Sequence, residues 1–250
     1  MFRDLVSLLL LAVIAFVSAD DTEKLVGAHD AQPGQFPYTV SIRLQNSHIC
    51  GGSIISDHHV LTAAHCVKDL IDYISEVFVV TGTIYLDQGG EFHTVANMFA
   101  HPQYNGDTNV DNDVGVVKLI LPIVFNAVQM AIPLPTADPP ANNYAVISAW
   151  GGTASPPNDT LSNVQQYLYL WMISLDECKE YKNLDVQTNA ICTYDGVGVG
   201  LCPGDSGSPL VYNNQVVGVV SRGVPCARGE PDVFTDVYDT LDFIRQAMLF

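Results

Sequence analysis

Near the end of the chain, Gly204-Asp205-Ser206-Gly207-Ser208-Pro209 holds a serine between glycines. Far upstream, Thr62-Ala63-Ala64-His65-Cys66 sets a histidine beside a cysteine. Between them, Asp111-Asn112-Asp113-Val114-Gly115-Val116-Val117-Lys118-Leu119 leads an acid into an apolar run. A serine hydroxyl is a poor nucleophile until a neighbouring base takes its proton, and imidazole, with an ordinary pKa of about 6.5, suits that task near neutral pH. A buried carboxylate on the other ring nitrogen fixes the tautomer and stabilises the imidazolium that forms. Backbone N–H groups beside the serine hold a developing oxyanion, and glycines at 204 and 207 permit the close backbone path. The order His, Asp, Ser is one of three in which this geometry is built. Taken singly, each string has a bland reading, and an isolated serine between glycines is usually a turn. Three strings in the right order are far less a matter of chance.

Such residues must be carried to one place by the chain around them. Short β-branched and aromatic runs alternate with turn residues from residue 38 onward. Tyr38–Leu44, Val77–Thr81, Phe92–Met98, Gly115–Leu121, Tyr144–Ala149, Gln165–Met172, Pro209–Tyr212 and Val216–Ser221 read as strands. Loops such as Gln88-Gly89-Gly90 and Pro139-Pro140-Ala141-Asn142-Asn143 separate them. Only the last dozen residues read as helix, with Asp239 or Thr240 as cap and Leu241, Ile244, Ala247 and Met248 on one face. Many short strands without interleaved helices predict an all-β chain, an antiparallel sandwich or barrels.

The 250 residues, 48% of them hydrophobic, suffice for one large all-β domain or two small ones. Ten Lys and Arg against 27 Asp and Glu give a formal charge of −17. That surface repels phosphate backbones and anionic lipid, so neither a nucleic acid nor a membrane is an expected partner. Leu5–Val17 is an apolar run broken only by Ser7, shorter than the roughly 20 residues a hydrocarbon core requires. Arg3 before it and Val17-Ser18-Ala19 after it predict a signal peptide, residues 1–19, and secretion to the extracellular space. Asp20-Asp21-Thr22-Glu23-Lys24 then reads as a short propeptide, residues 20–24, or as a frayed terminus. In a secreted chain the six cysteines are expected in disulfides, with 15 pairings open to them. Asn158-Asp159-Thr160 is a sequon in a Pro/Asn/Ser-rich stretch, a candidate glycosylation site.

The strings around His65, Asp113 and Ser206 resemble those of the chymotrypsin–trypsin family of serine endopeptidases. The likeness runs from about Leu25 to the C-terminus and includes Phe36-Pro37-Tyr38, Cys50-Gly51-Gly52-Ser53, His101-Pro102 and Trp150-Gly151. Arthropod chymotrypsin-like and brachyurin-like members look most similar. The resemblance implies two packed six-stranded antiparallel Greek-key barrels with a C-terminal helix, in a peptidase domain spanning 25–250 with its internal boundary near 130–140. It implies Ser206 as nucleophile, His65 as general base and acid, and Asp113 as the orienting carboxylate, with Asp111 the competitor for that last role. Gly204 and Ser206 would offer their N–H groups to the oxyanion, and Ser221 would bond the carboxylate. The family's pairing implies Cys50–Cys66, Cys178–Cys192 and Cys202–Cys226. Cleavage after Lys24 by a trypsin-like protease would free Leu25 to reach Asp205. No cofactor is implied, and Asp87 and Glu91 make too sparse a ligand set for a calcium ion, so no metal is expected. The implied partners are polypeptide substrates, the activating protease and protein inhibitors, for a monomer.

Substrate preference is where the chain departs from its relatives. Gly200 stands where trypsins carry the acid that selects Arg and Lys, and Leu201 beside it favours apolar side chains. Gly223 leaves the pocket entrance open. Asp232 is expected either on the pocket floor or turned aside to a backbone N–H. Arg222 stands where most relatives carry tryptophan, and either lays its stem along the substrate-facing wall or meets an acidic substrate residue. The resulting expectation is cleavage mainly after large apolar or aromatic residues, with secondary cleavage after Arg or Lys. The rival reading within the fold is a catalytically silent homologue that binds a partner. An esterase or lipase is disfavoured, because its Gly-x-Ser-x-Gly elbow joins a strand to a helix.

Overall fold

The computed structural model describes residues 27–106, 111–152, 160–181, 186, 188–223 and 226–250. The expected leader, the propeptide with Lys24, Leu25 and the sequon Asn158 lie outside these residues. A two-residue strand β1 (His29–Asp30) is followed by β2 (Thr39–Leu44), β3 (Ser47–Ile54), β4 (His59–Thr62), β5 (Val77–Thr81), β6 (Glu91–Ala100) and β7 (Gly115–Leu119). Strands β2 to β7 close into an antiparallel barrel in the order β2-β3-β4-β7-β6-β5. Three consecutive strands with the fourth returned beside the first is a Greek key. The β-branched runs put one face inside: Val40, Ile42, Val60, Val79, Val116 and Val117 are fully buried in one core.

The second half repeats the device. Strands β8 (Asn143–Ala149), β9 (Gln166–Ile173), β10 (Ala190–Thr193), β11 (Pro209–Tyr212), β12 (Gln215–Arg222) and β13 (Asp232–Asp236) run in the order β9-β10-β13-β12-β11-β8, and β8 pairs back onto β9. Its core gathers Ile147, Leu170, Leu210, Val217 and Phe234. A short helix α1 (Leu175–Lys179) is capped by Ser174, whose hydroxyl accepts from Glu177 N–H. The C-terminal helix α2 (Leu241–Ala247) buries Leu241, Ile244 and Ala247 in the first barrel's core, as the apolar spacing predicts.

The first and last described elements thus cross to the other half. β1 pairs with β9 of the second barrel, His29 opposite Tyr167, while α2 covers the first. Thr240 stands at the cap position of α2, but its side chain does not cap it. The hydroxyl donates instead to Asp236 O at 2.9 Å.

Five strands escaped the sequence reading: the two-residue β1, and four others for which the reason is local composition. β3 carries Cys50-Gly51-Gly52-Ser53, weak strand formers. Packing requires the glycines: a Cβ on Gly51 would lie 2.0 Å from Ser208 Oγ, and one on Gly52 2.8 Å from Val60 Cγ1. β4, β10 and β13 are short, and β13 begins and ends in aspartate although all its residues are buried. Tertiary packing overrides propensity at such positions.

Candidate active site

The functional strings meet where the two barrels face each other. His65 follows β4 in a tight turn, with Cys66 N–H bonded to Ala63 O at 3.2 Å and Ala63 and Ala64 fully buried. The Cys50–Cys66 disulfide ties that turn to β3. The two sulfurs near His65 are bonded to each other and offer no thiolate to a metal. Asp113 comes just before β7, after Asn112 takes a left-handed turn at φ 58°. Its carboxylate is fully buried and surrounded by donors. Oδ1 accepts from His65 N–H at 2.9 Å, and Oδ2 lies 2.8 Å from His65 Nδ1 and accepts from Ser221 Oγ at 2.7 Å. A carboxylate at Nδ1 places the proton there and leaves Nε2 as the basic atom. Asp111 makes no hydrogen bond to His65; it lines a narrow cleft with Asn189, Ser221 and Arg222.

Ser206 arrives from the second barrel, on the loop before β11. Its carbonyl accepts from Gly51 N–H at 2.8 Å, and Gly207 N–H bonds Val220 O at 2.9 Å, so the loop is pinned to both barrels. Gly207 has φ 78°, and a Cβ there would lie 2.2 Å from Thr62 Oγ1, three residues before His65. Only glycine fits this crossing. No hydrogen bond joins Ser206 Oγ to His65 among the described residues, a looseness common before substrate is bound. Gly204, at φ 97°, precedes the serine on the same loop.

Asp205 is fully buried, and its oxygens accept from Gly151 N–H and Cys202 N–H, each at 2.8 Å. A Cβ on Gly151 would lie 2.2 Å from Asp205 Oδ1, which accounts for glycine after Trp150. Among the described residues no cation pairs with Asp205. Burial pushes its carboxyl up to about 7, although the two amides favour the charged form.

A cleft of about 160 Å³ opens beside Ser206, lined by Leu201, Cys202, Val220, Ser221, Arg222 and Gly223 among others. Cys202 of that lining is bonded to Cys226, and the Cys178–Cys192 disulfide joins α1 to β10. Asp232 lies between Gly200 and Gly223: a Cβ on either would come within 2.6 Å and 2.8 Å of its oxygens. Its Oδ2 accepts from Leu201 N–H at 3.0 Å, the backbone bond that the sequence left as one of two expectations. The acid stays against these two glycines, 4% exposed.

His48, on β3, also contacts the site. Its Nε2 lies 3.0 Å from Gly204 O, its Nδ1 lies 2.8 Å from Ser41 Oγ, and its ring meets Trp150 at 5.9 Å. No local signal marks it; only the pairing of β3 against the Ser206 loop brings it there.

The family model described as Trypsin matches residues 25–244. The chain is 35% identical over 226 residues to Chymotrypsin-2 of Vespa crabro, covering 90% of this chain and 100% of the relative. It is 36% identical over 248 residues to Serine protease 1 of Homo sapiens, covering 95% and 97%. It is 35% identical over 233 residues to Trypsin of Sus scrofa, covering 92% and 97%. A family match across nearly the whole chain, on two barrels that join a His–Asp pair to a glycine-flanked serine, makes this protein a member of the trypsin family of serine endopeptidases.

Proposed function

We propose that this chain is the secreted zymogen of a chymotrypsin-like endopeptidase that cuts polypeptides through an acyl-enzyme, mainly after large apolar or aromatic residues. The observation that carries the chemistry is the buried Asp113 carboxylate held by His65 and Ser221 beside the Ser206 loop. Ser206 Oγ attacks the scissile carbonyl while His65 Nε2 takes its proton. Asp113 holds the imidazole in the needed tautomer and stabilises its charged form. The N–H groups of Gly204 and Ser206 receive the oxyanion. His65 then protonates the leaving amine, and water repeats the sequence to release the acyl group.

The remaining assignments follow from the same reading. Residues 1–19 form the signal peptide and 20–24 the propeptide. Residues 25–250 form the peptidase, whose two barrels divide near 130–140. A trypsin-like protease cuts after Lys24, protein inhibitors bind the site, Asn158 is glycosylated and the enzyme is a monomer.

Specificity rests on the pocket. Leu201 and Val220 give it apolar walls, and Gly200 puts no acid on its floor. Arg222 extends the wall along the substrate chain with its stem. Asp232 beneath the floor is pushed up to about 7 by burial, against the pull of Leu201 N–H. An acid so placed is neutral on the acid side of that value and attracts a cationic side chain above it. Cleavage after Arg or Lys should therefore be secondary and should gain on cleavage after Leu, Phe, Tyr or Met between about pH 6 and 8. A peptide-library profile at both pH values measures this. Dominance of Arg and Lys at either pH refutes the apolar-first ranking, and a basic fraction unchanged by Asp232→Gly refutes the role of that acid.

A further inference from the structure

Buried cations are almost always paired with acids, and Arg43 is not. It sits on β2 at 3% exposure in a chain of net charge −17, yet no ion pair holds it among the described residues. Its Nε donates to Ser41 Oγ at 3.1 Å and its Nη1 to Asn46 Oδ1 at 3.3 Å, while its guanidinium lies 5.5 Å from the centre of the Phe92 ring. The partners beyond Ser41 lead toward the active site. Ser41 Oγ is 2.8 Å from His48 Nδ1, and His48 Nε2 is 3.0 Å from Gly204 O. Only one direction satisfies every bond of this chain, while Arg43 Nη2 has no partner among the described residues. A carbonyl accepts only, so His48 carries its proton on Nε2. Its Nδ1 therefore accepts, so Ser41 donates its hydroxyl proton there and receives Arg43 Nε–H on a lone pair.

We propose that Arg43 is a positioning residue for the oxyanion loop, fixing the Gly204 carbonyl through Ser41 and His48. The inference rests on the assignment above of Gly204 N–H as an oxyanion donor. A cation on Ser41 Oγ polarises the hydroxyl and strengthens each later bond of the chain. It also keeps the imidazole neutral. Burial foremost, and then the charge of Arg43, hold His48 down to about 4. A charged His48 would turn its Nδ1–H on Ser41 Oγ, in competition with Arg43 Nε–H. Among the described residues the charged group that acts on His48 is Arg43 from β2. Trp150 supplies an uncharged wall.

The test uses the activated enzyme with Arg43→Met, Ser41→Ala and the double variant, reading kcat and KM together with the NMR titration of the His48 ring. In Arg43→Met, kcat should fall about tenfold with KM within about twofold, a smaller loss than the ~10²–10³ of deleting an oxyanion donor outright. The His48 midpoint should rise, because a nearby positive charge has gone. Ser41→Ala, a small change that keeps the fold if Arg43→Met does not, should lower kcat similarly. The double variant should be no worse than the worse single one, the mark of two residues acting in one chain. An unchanged kcat in folded Arg43→Met, an unmoved His48 midpoint, or additive losses in the double variant would each overturn the proposal. The His48 titration needs no turnover, so it judges this chain of bonds even where the catalytic assignment itself fails.

Discussion

Asp113→Asn should lower kcat by about four orders of magnitude with the fold intact, the loss that the same change causes in this family's template triad. The structure says why so small a change matters. The carboxylate accepts three bonds, two from His65 and one from Ser221, with no solvent to replace any of them. An asparagine amide offers one acceptor oxygen where two stood, and its NH₂ opposite His65 Nδ1 forces the imidazole proton to Nε2. The base is then blocked toward Ser206, while the substrate pocket is untouched, so KM should move little. Ser206→Ala should bring turnover to near background and leave inhibitor binding largely in place. Asp111→Asn is the control. It removes no bond to His65 and should lower kcat far less than Asp113→Asn does. A larger loss from Asp111→Asn than from Asp113→Asn would reassign the acid.

Lys24→Gln should leave the precursor inactive after trypsin treatment that activates the parent chain. Asp205 is a fully buried acid whose hydrogen-bond partners among the described residues are two backbone amides. A freed Leu25 ammonium, with a pKa near 8 in model compounds, supplies the missing charge. Breaking a buried pair by removing one partner costs about 3–5 kcal/mol, or roughly 10²–10⁴-fold in the population of the paired state. Asp205 adjoins both Gly204 and Ser206, so that population sets how often the oxyanion donors are in place. Activity of Lys24→Gln above a few per cent of the activated parent would count against the switch.

The same acid gives the precursor a pH signature. Asp205, Asp232 and Asp236 are each pushed up to about 7, chiefly by burial. The folded chain therefore holds protons that the unfolded chain releases from the ordinary carboxylate range upward. Stability should fall as pH rises through that range to about 7, and then level off. Thermal melts of a Ser206→Ala precursor read this directly. Cleavage after Lys24 should reduce the fall, since the ammonium stabilises the charged form of Asp205 alone among the three.

Much of the frame was legible because β-branched runs announce strands. Val77–Thr81 and Pro209–Tyr212 coincide with β5 and β11. What was not legible depends on partners distant in sequence. Gly51 and Gly52 read as a loop until Ser208 and Val60 are packed against them. The crossing of β1 to β9 leaves no mark in a two-residue strand. The motifs around His65, Asp113 and Ser206 stood out because chemistry restricts residue types there. Arg43 and His48 did not, since hydrogen-bonding side chains on buried strands carry no periodic signal. Asp232 shows the limit most clearly. Its type suggested a pocket floor or a backbone bond, and it makes the bond to Leu201 N–H while lying against Gly200 and Gly223.

The central claim, that Ser206 is an activated nucleophile, is tested most directly by a fluorophosphonate probe. The full chain is treated briefly with immobilised trypsin, the beads are removed, and the labelled protein is digested and read by mass spectrometry. The account predicts one phosphonyl group per activated chain, on Ser206, lost in Ser206→Ala and strongly reduced without the trypsin step. Absence of label on Ser206 in the treated chain would contradict it and favour a silent homologue that binds rather than cuts.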